Sequence, residues 1–223
     1  MTNIVSIIPR GYIIGFTLLA AAVAYLLGSL NFAIVVSKVF YHKDIRTFGS
    51  GNAGMTNVLR TFGKGAAALT IIGDIGKGTV SVLFAKWLLN SALGVPMPSI
   101  AYIAAIAAML GHLFPLYFKF KGGKGVSVAA GAIIAIEPIV VLILFVAFVA
   151  IFAFSRMVSL ASIICAALYP IVTYLYLLYM GRDAFVCTGL SVIMAVLVIY
   201  MHRENIKRLC AGTEYKFGQK PKQ

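Results

Sequence analysis

Apolar stretches of about twenty residues, nearly free of charge, recur along this chain and leave it few architectures. That length matches the hydrocarbon thickness of a bilayer. A backbone inside lipid must satisfy its own hydrogen bonds, so such stretches become helices. The candidates are residues 11–37, 66–89, 99–118, 126–136, 139–154, 157–179 and 184–201. The split between the fourth and fifth follows from Glu137-Pro138. Proline lacks an N–H and pushes its predecessor out of helical geometry, so two short helices are expected there rather than one bent one. Counting 126–154 differently leaves five or six.

Composition agrees: 61% of the 223 residues are hydrophobic and 11% charged, with a mean hydropathy of +0.99. Soluble domains sit near 45–50% and about 25%. The expected fold is an all-α integral membrane protein of about seven transmembrane helices, forming a single polytopic domain over residues 1–223. The first apolar run is too long for a cleavable signal and is read as a retained helix. Cys165, Cys187 and Cys210 lack metal or redox spacing and read as packing residues.

Seven spans place the N-terminus outside and the C-terminus in the cytoplasm. One side then receives 42–65, 119–125, 155–156 and the C-terminal tail; the other receives 90–98 and 180–183. With the helix-end Lys38, the first side holds all but four of the 19 Lys and Arg, the exceptions being Arg10, Lys77, Lys86 and Arg182. The positive-inside rule makes that side cytoplasmic. The net charge of +13 therefore reflects topology and anionic headgroups, and no nucleic-acid signature accompanies it.

Three segments on that side carry more than charge. They are Gly49-Ser50-Gly51-Asn52-Ala53-Gly54-Met55-Thr56-Asn57-Val58-Leu59-Arg60, Phe120-Lys121-Gly122-Gly123-Lys124-Gly125, and His202-Arg203-Glu204-Asn205-Ile206-Lys207-Arg208. Topology asks only for cations. Glycines, amides and hydroxyls mixed with them suit backbone N–H groups and fixed charge around an anion. Within the second span, Asp74 and Lys77 stand at i and i+3 on one helix face. Ionisable groups at that depth are costly unless paired or facing a cavity. A structural ion pair and a cytoplasm-facing polar cavity both satisfy this pattern.

Several chemistries are excluded. No G-x-S-x-G elbow supports a serine hydrolase, and His42, His112 and His202 lack a carboxylate five residues on. The Gly-Lys pieces do not fit a P-loop, and no H-E-x-x-H or carboxylate cluster points to a metal. No cofactor is expected. What remains suits a transferase whose substrates bring their own reactivity: a phosphate-bearing donor with a stabilised leaving group and a phosphorylated acceptor held in orientation. A transporter for a phosphorylated metabolite or lipid is the alternative. It predicts inverted repeats and polar residues near the midplane, whereas the polar residues gather at one surface.

These residues resemble a known family. Asp44-Ile45-Arg46 with Gly49-Ser50-Gly51-Asn52 through Thr56-Asn57 to Arg60 is similar to the first signature of the bacterial acyl-phosphate:glycerol-3-phosphate acyltransferases, the PlsY family. Gly111-His112-Leu113-Phe114-Pro115 with Phe120–Gly125 resembles the second. His202-Arg203-Glu204-Asn205-Ile206 with Arg208-Leu209, Gly212 and Glu214 resembles the third. The resemblance covers about residues 20–217.

It implies acyl transfer from acyl phosphate to the 1-hydroxyl of sn-glycerol 3-phosphate at the cytoplasmic face of a bacterial inner membrane. The products would be lysophosphatidic acid and phosphate, and a separate peripheral enzyme would supply the donor. On this reading Ser50, Gly51, Asn52, Thr56 and Asn57 form a donor pocket, and Arg60 and Lys124 clamp phosphate. Gly122 and Gly123 let the backbone approach the acceptor, Lys121 and Arg203 add charge, His202 orients the hydroxyl or takes its proton, and Asn205 fixes the loop. Blander roles stand beside these: a turn for Ser50, a helix-end cap for His202, a solvated cation for Lys124 and a structural place for His112. The chain departs from the family at Asn31, where many members have proline, at Met55 (usually alanine) and at Val128 (often threonine).

Overall fold

A computed structural model describes residues 8–94 and 97–218, and every regular element among them is helical. The helices are α1 (Arg10–Gly28), α2 (Phe32–Tyr41), α3 (Met55–Phe62), α4 (Lys64–Leu93), α5 (Pro98–Leu113), α6 (Val126–Ile136), α7 (Pro138–Ser155), α8 (Val158–Tyr179), α9 (Phe185–Met201) and α10 (Arg203–Cys210). Single 3₁₀ turns lie at Ile45–Thr47 and Leu116–Phe118. The N-terminal end, part of the 90–98 connection, and Lys220 and Lys222 of the cationic tail lie outside the described residues.

The segments long and apolar enough to cross a membrane are Arg10–Tyr41, Lys64–Leu93, Pro98–Phe118, Pro138–Ser155 and Val158–Tyr179. A sixth arises if α9 and α10, bent by 60°, count as one, and α6 is a shorter apolar helix. A helix stands at each of the seven expected places. The Glu137-Pro138 break is present, with α6 capped at Glu137 and Pro138 opening α7.

Two expectations change. The first run, 11–37, is broken at Ser29-Leu30-Asn31, because Asn31 starts a new helix: its side-chain oxygen accepts from Ile34 N at 3.1 Å. The 42–65 connection holds an unforeseen helix, α3, ended by Gly63 at φ 88°.

The described residues form two compact units that divide at Glu137/Pro138. In the first unit α4 packs on α1, α5 and α6, and α1 packs on α5. Lipid gives helices no hydrophobic reason to associate, so close backbone approach does the work. A Cβ on Gly28 would strike the Ala108 carbonyl of α5, and one on Gly111 would strike the Tyr25 carbonyl of α1. Gly78 and Gly131 do the same between α4 and α6, where Thr79 also donates to the Gly131 carbonyl at 2.8 Å. In the second unit α8 packs against α7 and α9.

Candidate active site

In the first unit, one amide organises the first glycine loop. Asn57 sits in the first turn of α3 and is buried. Its Nδ2 donates to the carbonyls of Phe48 (2.9 Å), Asn52 (3.1 Å) and Ile45 (3.2 Å), while its Oδ1 accepts the Ser50 N–H at 3.1 Å. Gly49 adopts φ 55°, and a Cβ there would collide with Asn57 Oδ1. Asn57 is therefore the staple of the first loop, its side-chain amide engaged at both ends by backbone groups. Ser50 and Gly51 are exposed, and Asn52 and Thr56 half-buried. The hydroxyls of Ser50 and Thr56 make no hydrogen bond among the described residues. Arg60 lies exposed in the last turn of α3.

Arg46 ties this loop to the next one. It grips Asp44 with two bonds, 2.9 and 2.7 Å, and donates to the carbonyls of Phe118 (2.8 Å) and Lys121 (3.3 Å). The Arg46 side-chain bonds hold the Asp44 carboxyl down to about 2 against an ordinary 3.8, aided by Lys38 at 3.8 Å.

The second loop folds back on the end of α5. The N–H groups of Gly122 and Gly123 donate to the carbonyls of Leu113 (3.1 Å) and His112 (3.2 Å). A Cβ on Gly122 would strike the His112 carbonyl, and one on Gly123 would strike His112 Nε2 and lie 2.5 Å from the Ala53 carbonyl. These glycines are needed for contact with protein. Backbone approach to the acceptor, their expected role, is compatible with this contact. Lys121 is exposed and Lys124 half-buried just before Gly125. The structure thus brings two of the three glycine- or amide-rich cationic segments together, Ala53 of one touching the space of Gly123 of the other.

Beneath them lies a buried ionisable cluster. Lys77 Nζ donates to Asp74 Oδ1 (2.8 Å) and the Leu30 carbonyl (2.8 Å), and stands 2.9 Å from His112 Nδ1. Of the two readings of Asp74 and Lys77, the structure supports the paired one. His112 is buried, as its structural reading expected, and joins them.

The third segment belongs to the second unit. His202 is buried at the junction of α9 and α10, and its Nδ1 donates to the Val198 carbonyl at 2.8 Å. A carbonyl can only accept, so that bond fixes a proton on Nδ1. Arg203 is exposed, its guanidinium 4.9 Å over the Tyr200 ring. Asn205 donates to Glu214 Oε1 at 2.7 Å. Glu214 also receives Ser159 (2.6 Å) and Arg208 (2.8 Å). Burial alone would raise the Glu214 carboxyl, but these three donors and the Arg208 charge lower it overall.

Sequence reasoning gave no role to Arg46 or Glu214. Arg46 spans more than 70 residues to the carbonyls of Phe118 and Lys121, and Ser159 lies 55 residues from Glu214, so no local pattern announces these bonds.

The chain is similar to known proteins in sequence and in fold. The family model described as glycerol-3-phosphate acyltransferase matches residues 18–212. A glycerol-3-phosphate acyltransferase of Cupriavidus metallidurans is 47% identical over 205 residues, spanning 92% of this chain and 98% of the relative. One from Ralstonia pickettii is 44% identical over 206 residues, covering 92% and 96%. The fold is similar to crystal structures of PlsY (YgiH), an integral membrane glycerol 3-phosphate acyltransferase. The glycerol 3-phosphate form superposes with a TM-score of 0.78 at 38% identity, covering 91% of this chain and 96% of that one. The lysophosphatidic acid form gives 0.77 at 36%, covering 91% and 95%.

Proposed function

Because the chain belongs to the glycerol-3-phosphate acyltransferase family, the PlsY family, we propose that it acylates the sn-1 hydroxyl of glycerol 3-phosphate with acyl phosphate as donor. The products are lysophosphatidic acid and inorganic phosphate. The observation that carries this reading is the pair of glycine-rich cationic loops, 49–60 and 120–125, tied to each other by Arg46. Two adjoining loops of anion-binding character suit a reaction in which donor and acceptor each carry a phosphate.

The hydroxyl oxygen attacks the acyl carbonyl carbon, the carbon–oxygen bond to phosphate breaks, and phosphate leaves as the anion. Ser50, Gly51, Asn52 and Thr56 line the donor side, where the Ser50 and Thr56 hydroxyls have hydrogen-bonding capacity to offer. Arg60 and Lys124 neutralise charge growing on the departing phosphate, and Lys121 and Arg203 attract the acceptor. An acyl phosphate is a mixed anhydride, so attack is direct and no ester forms on Ser50. His202 presents Nε2 as an acceptor for the hydroxyl proton. Turnover retained in His202→Ala would assign that proton to the substrate phosphate.

The chain works as one polytopic domain of seven spans in a bacterial inner membrane, N-terminus outside, C-terminus and active site toward the cytoplasm. A peripheral enzyme that makes acyl phosphate supplies the donor.

The test uses purified protein in detergent with glycerol 3-phosphate and palmitoyl phosphate, palmitoyl-CoA or palmitoyl carrier protein in parallel. Equal lysophosphatidic acid and phosphate from acyl phosphate alone is the expected result. Product from a thioester instead overturns the donor assignment. No product from any donor, in folded protein that binds glycerol 3-phosphate, favours a transporter. Lys124→Ala and Arg60→Ala should each lower turnover by about 100-fold or more, the scale of losing a group that stabilises developing charge.

A further inference from the structure

The reaction just described gives no task to Asp74, Lys77 and His112, yet burying three ionisable groups in a membrane helix bundle is expensive. Stability alone is a poor reason to keep them, since buried ion pairs can often be replaced by apolar residues without loss. Their surroundings point elsewhere. The Lys77 ammonium has three donors and three acceptors in reach: Asp74 Oδ1, the Leu30 carbonyl and His112 Nδ1. The second acceptor exists because the α1–α2 break leaves the Leu30 carbonyl outside any helical ladder. Asp74 lies 3.4 Å from the Phe32 N–H at the start of α2. With Nδ1 taken up by Lys77, the opposite edge of the imidazole, Nε2, faces the second loop.

At that edge the two loops meet. A Cβ on Gly123 would collide with His112 Nε2 and fall 2.5 Å from the Ala53 carbonyl. Asn31 Nδ2 lies 3.3 Å from that same carbonyl and 3.5 Å from His112 Nδ1. Helices α2, α4 and α5 thus converge through Asn31, Lys77 and His112 on one point shared by both loops.

We propose that His112 is a positioning residue: braced at Nδ1 by Lys77, its ring is the common seat of the loops carrying Ala53 and Gly123. The separation of the two phosphate-holding loops is then set by side chains that touch neither phosphate. This deepens the acyltransferase reading, and its kinetic arm rests on that reading.

His112→Asn is the informative variant. Its amide oxygen can take the Nδ1 position and keep the Lys77 bond, while the Nε2 edge is lost. Amide hydrogen exchange is followed over residues 49–57 and 120–125 in detergent without substrate, alongside KM and kcat. Both loops should exchange about tenfold faster or more while the helices keep their protection. KM for donor and acceptor should rise together by about tenfold, with a smaller change in kcat. Asp74→Asn with Lys77→Met, which removes both charges and leaves neither unpaired, should loosen the same two loops. Wild-type exchange in both loops, loosening of one loop only, or uniform loosening of every helix would each overturn the seat. A wild type without transfer activity would sink the acyltransferase reading, while the exchange measurements still decide the seat.

Discussion

Two chain reversals in this protein, one in each unit, are held by a single buried side chain, but with opposite chemistry. In the first unit the Asn57 amide donates to three carbonyls and accepts one N–H. In the second, the Glu214 carboxylate only accepts, from Ser159, Asn205 and Arg208. A neutral amide serves both kinds of backbone group and puts no negative charge beside residues proposed to hold phosphate. A carboxylate draws stronger, charge-assisted bonds and suits a segment already crowded with cations. Asn57 therefore adds no charge of its own to the first loop, whereas the third segment is held by the Glu214 charge.

The contrast can be broken most severely with Asn57→Asp. It keeps an acceptor for Ser50 N–H but replaces the NH2 group with an oxygen whose lone pairs face three carbonyls, and adds a negative charge. Each stranded polar group costs about 1–3 kcal/mol, so kcat/KM should fall by at least about 100-fold, with a clear drop in melting temperature. Wild-type kinetics would deny Asn57 its role. Gly123→Ala comes next, and Gly122→Ala after it. Both should lower thermal stability and folded yield, because the added methyl meets protein. A pure rise in acceptor KM at unchanged melting temperature would instead assign these glycines to the ligand.

Glu214→Gln sharpens the other half of the comparison. It keeps an oxygen for Ser159 and Asn205 but sets an NH2 against the Arg208 donor, so that bond is lost, at about 1.5–3 kcal/mol for a charged hydrogen bond. The loss should appear as a lower melting temperature at neutral pH and faster exchange over residues 203–217. A carboxyl lowered in the folded state stabilises above its unfolded value, and this contribution disappears as pH falls through the folded one. The Gln variant and the wild type should therefore converge in acid.

Asp44 obeys the same sign. Its stabilisation, of order 2 kcal/mol at most, is full above about 4 and gone near 2, given a carboxyl held at about 2 against 3.8. Unfolding curves of Asp44→Asn and wild type, separate at pH 7, should merge as pH approaches 2. Lys121→Ala should matter least. Its side chain is exposed, and a screened surface charge should change acceptor KM only a few-fold, by an amount that shrinks with added salt.

The sequence was informative where local covalent chemistry decides the structure. Proline after Glu137 stops a helix whatever surrounds it, so the α6–α7 break was legible. Asp74 and Lys77 were legible as partners because i and i+3 share a face. The break at Asn31 was hidden, since Gly-Ser-Leu-Asn inside an apolar run reads as continuous until the cap on Ile34 N–H is seen. Helix α3 was masked by the glycines ahead of it. His112 lies 35 residues beyond Lys77, and no periodicity connects them. Gly122 and Gly123 were legible as positions where a side chain does not fit. What would occupy the space was not legible, because a helix end and a ligand make the same demand on glycine.

Helix α6 has 11 residues, a rise of about 16 Å, while the hydrocarbon slab is about 30 Å thick. Such hydrophobic mismatch is relieved by thinning the bilayer locally or by covering the gap with neighbouring protein. The polar Lys124-Gly125 end and the buried Glu137 end of α6 are thus only half a membrane apart. A bilayer of shorter-chain lipids should fit this part of the protein with less deformation, making lipid thickness a physical variable for its stability.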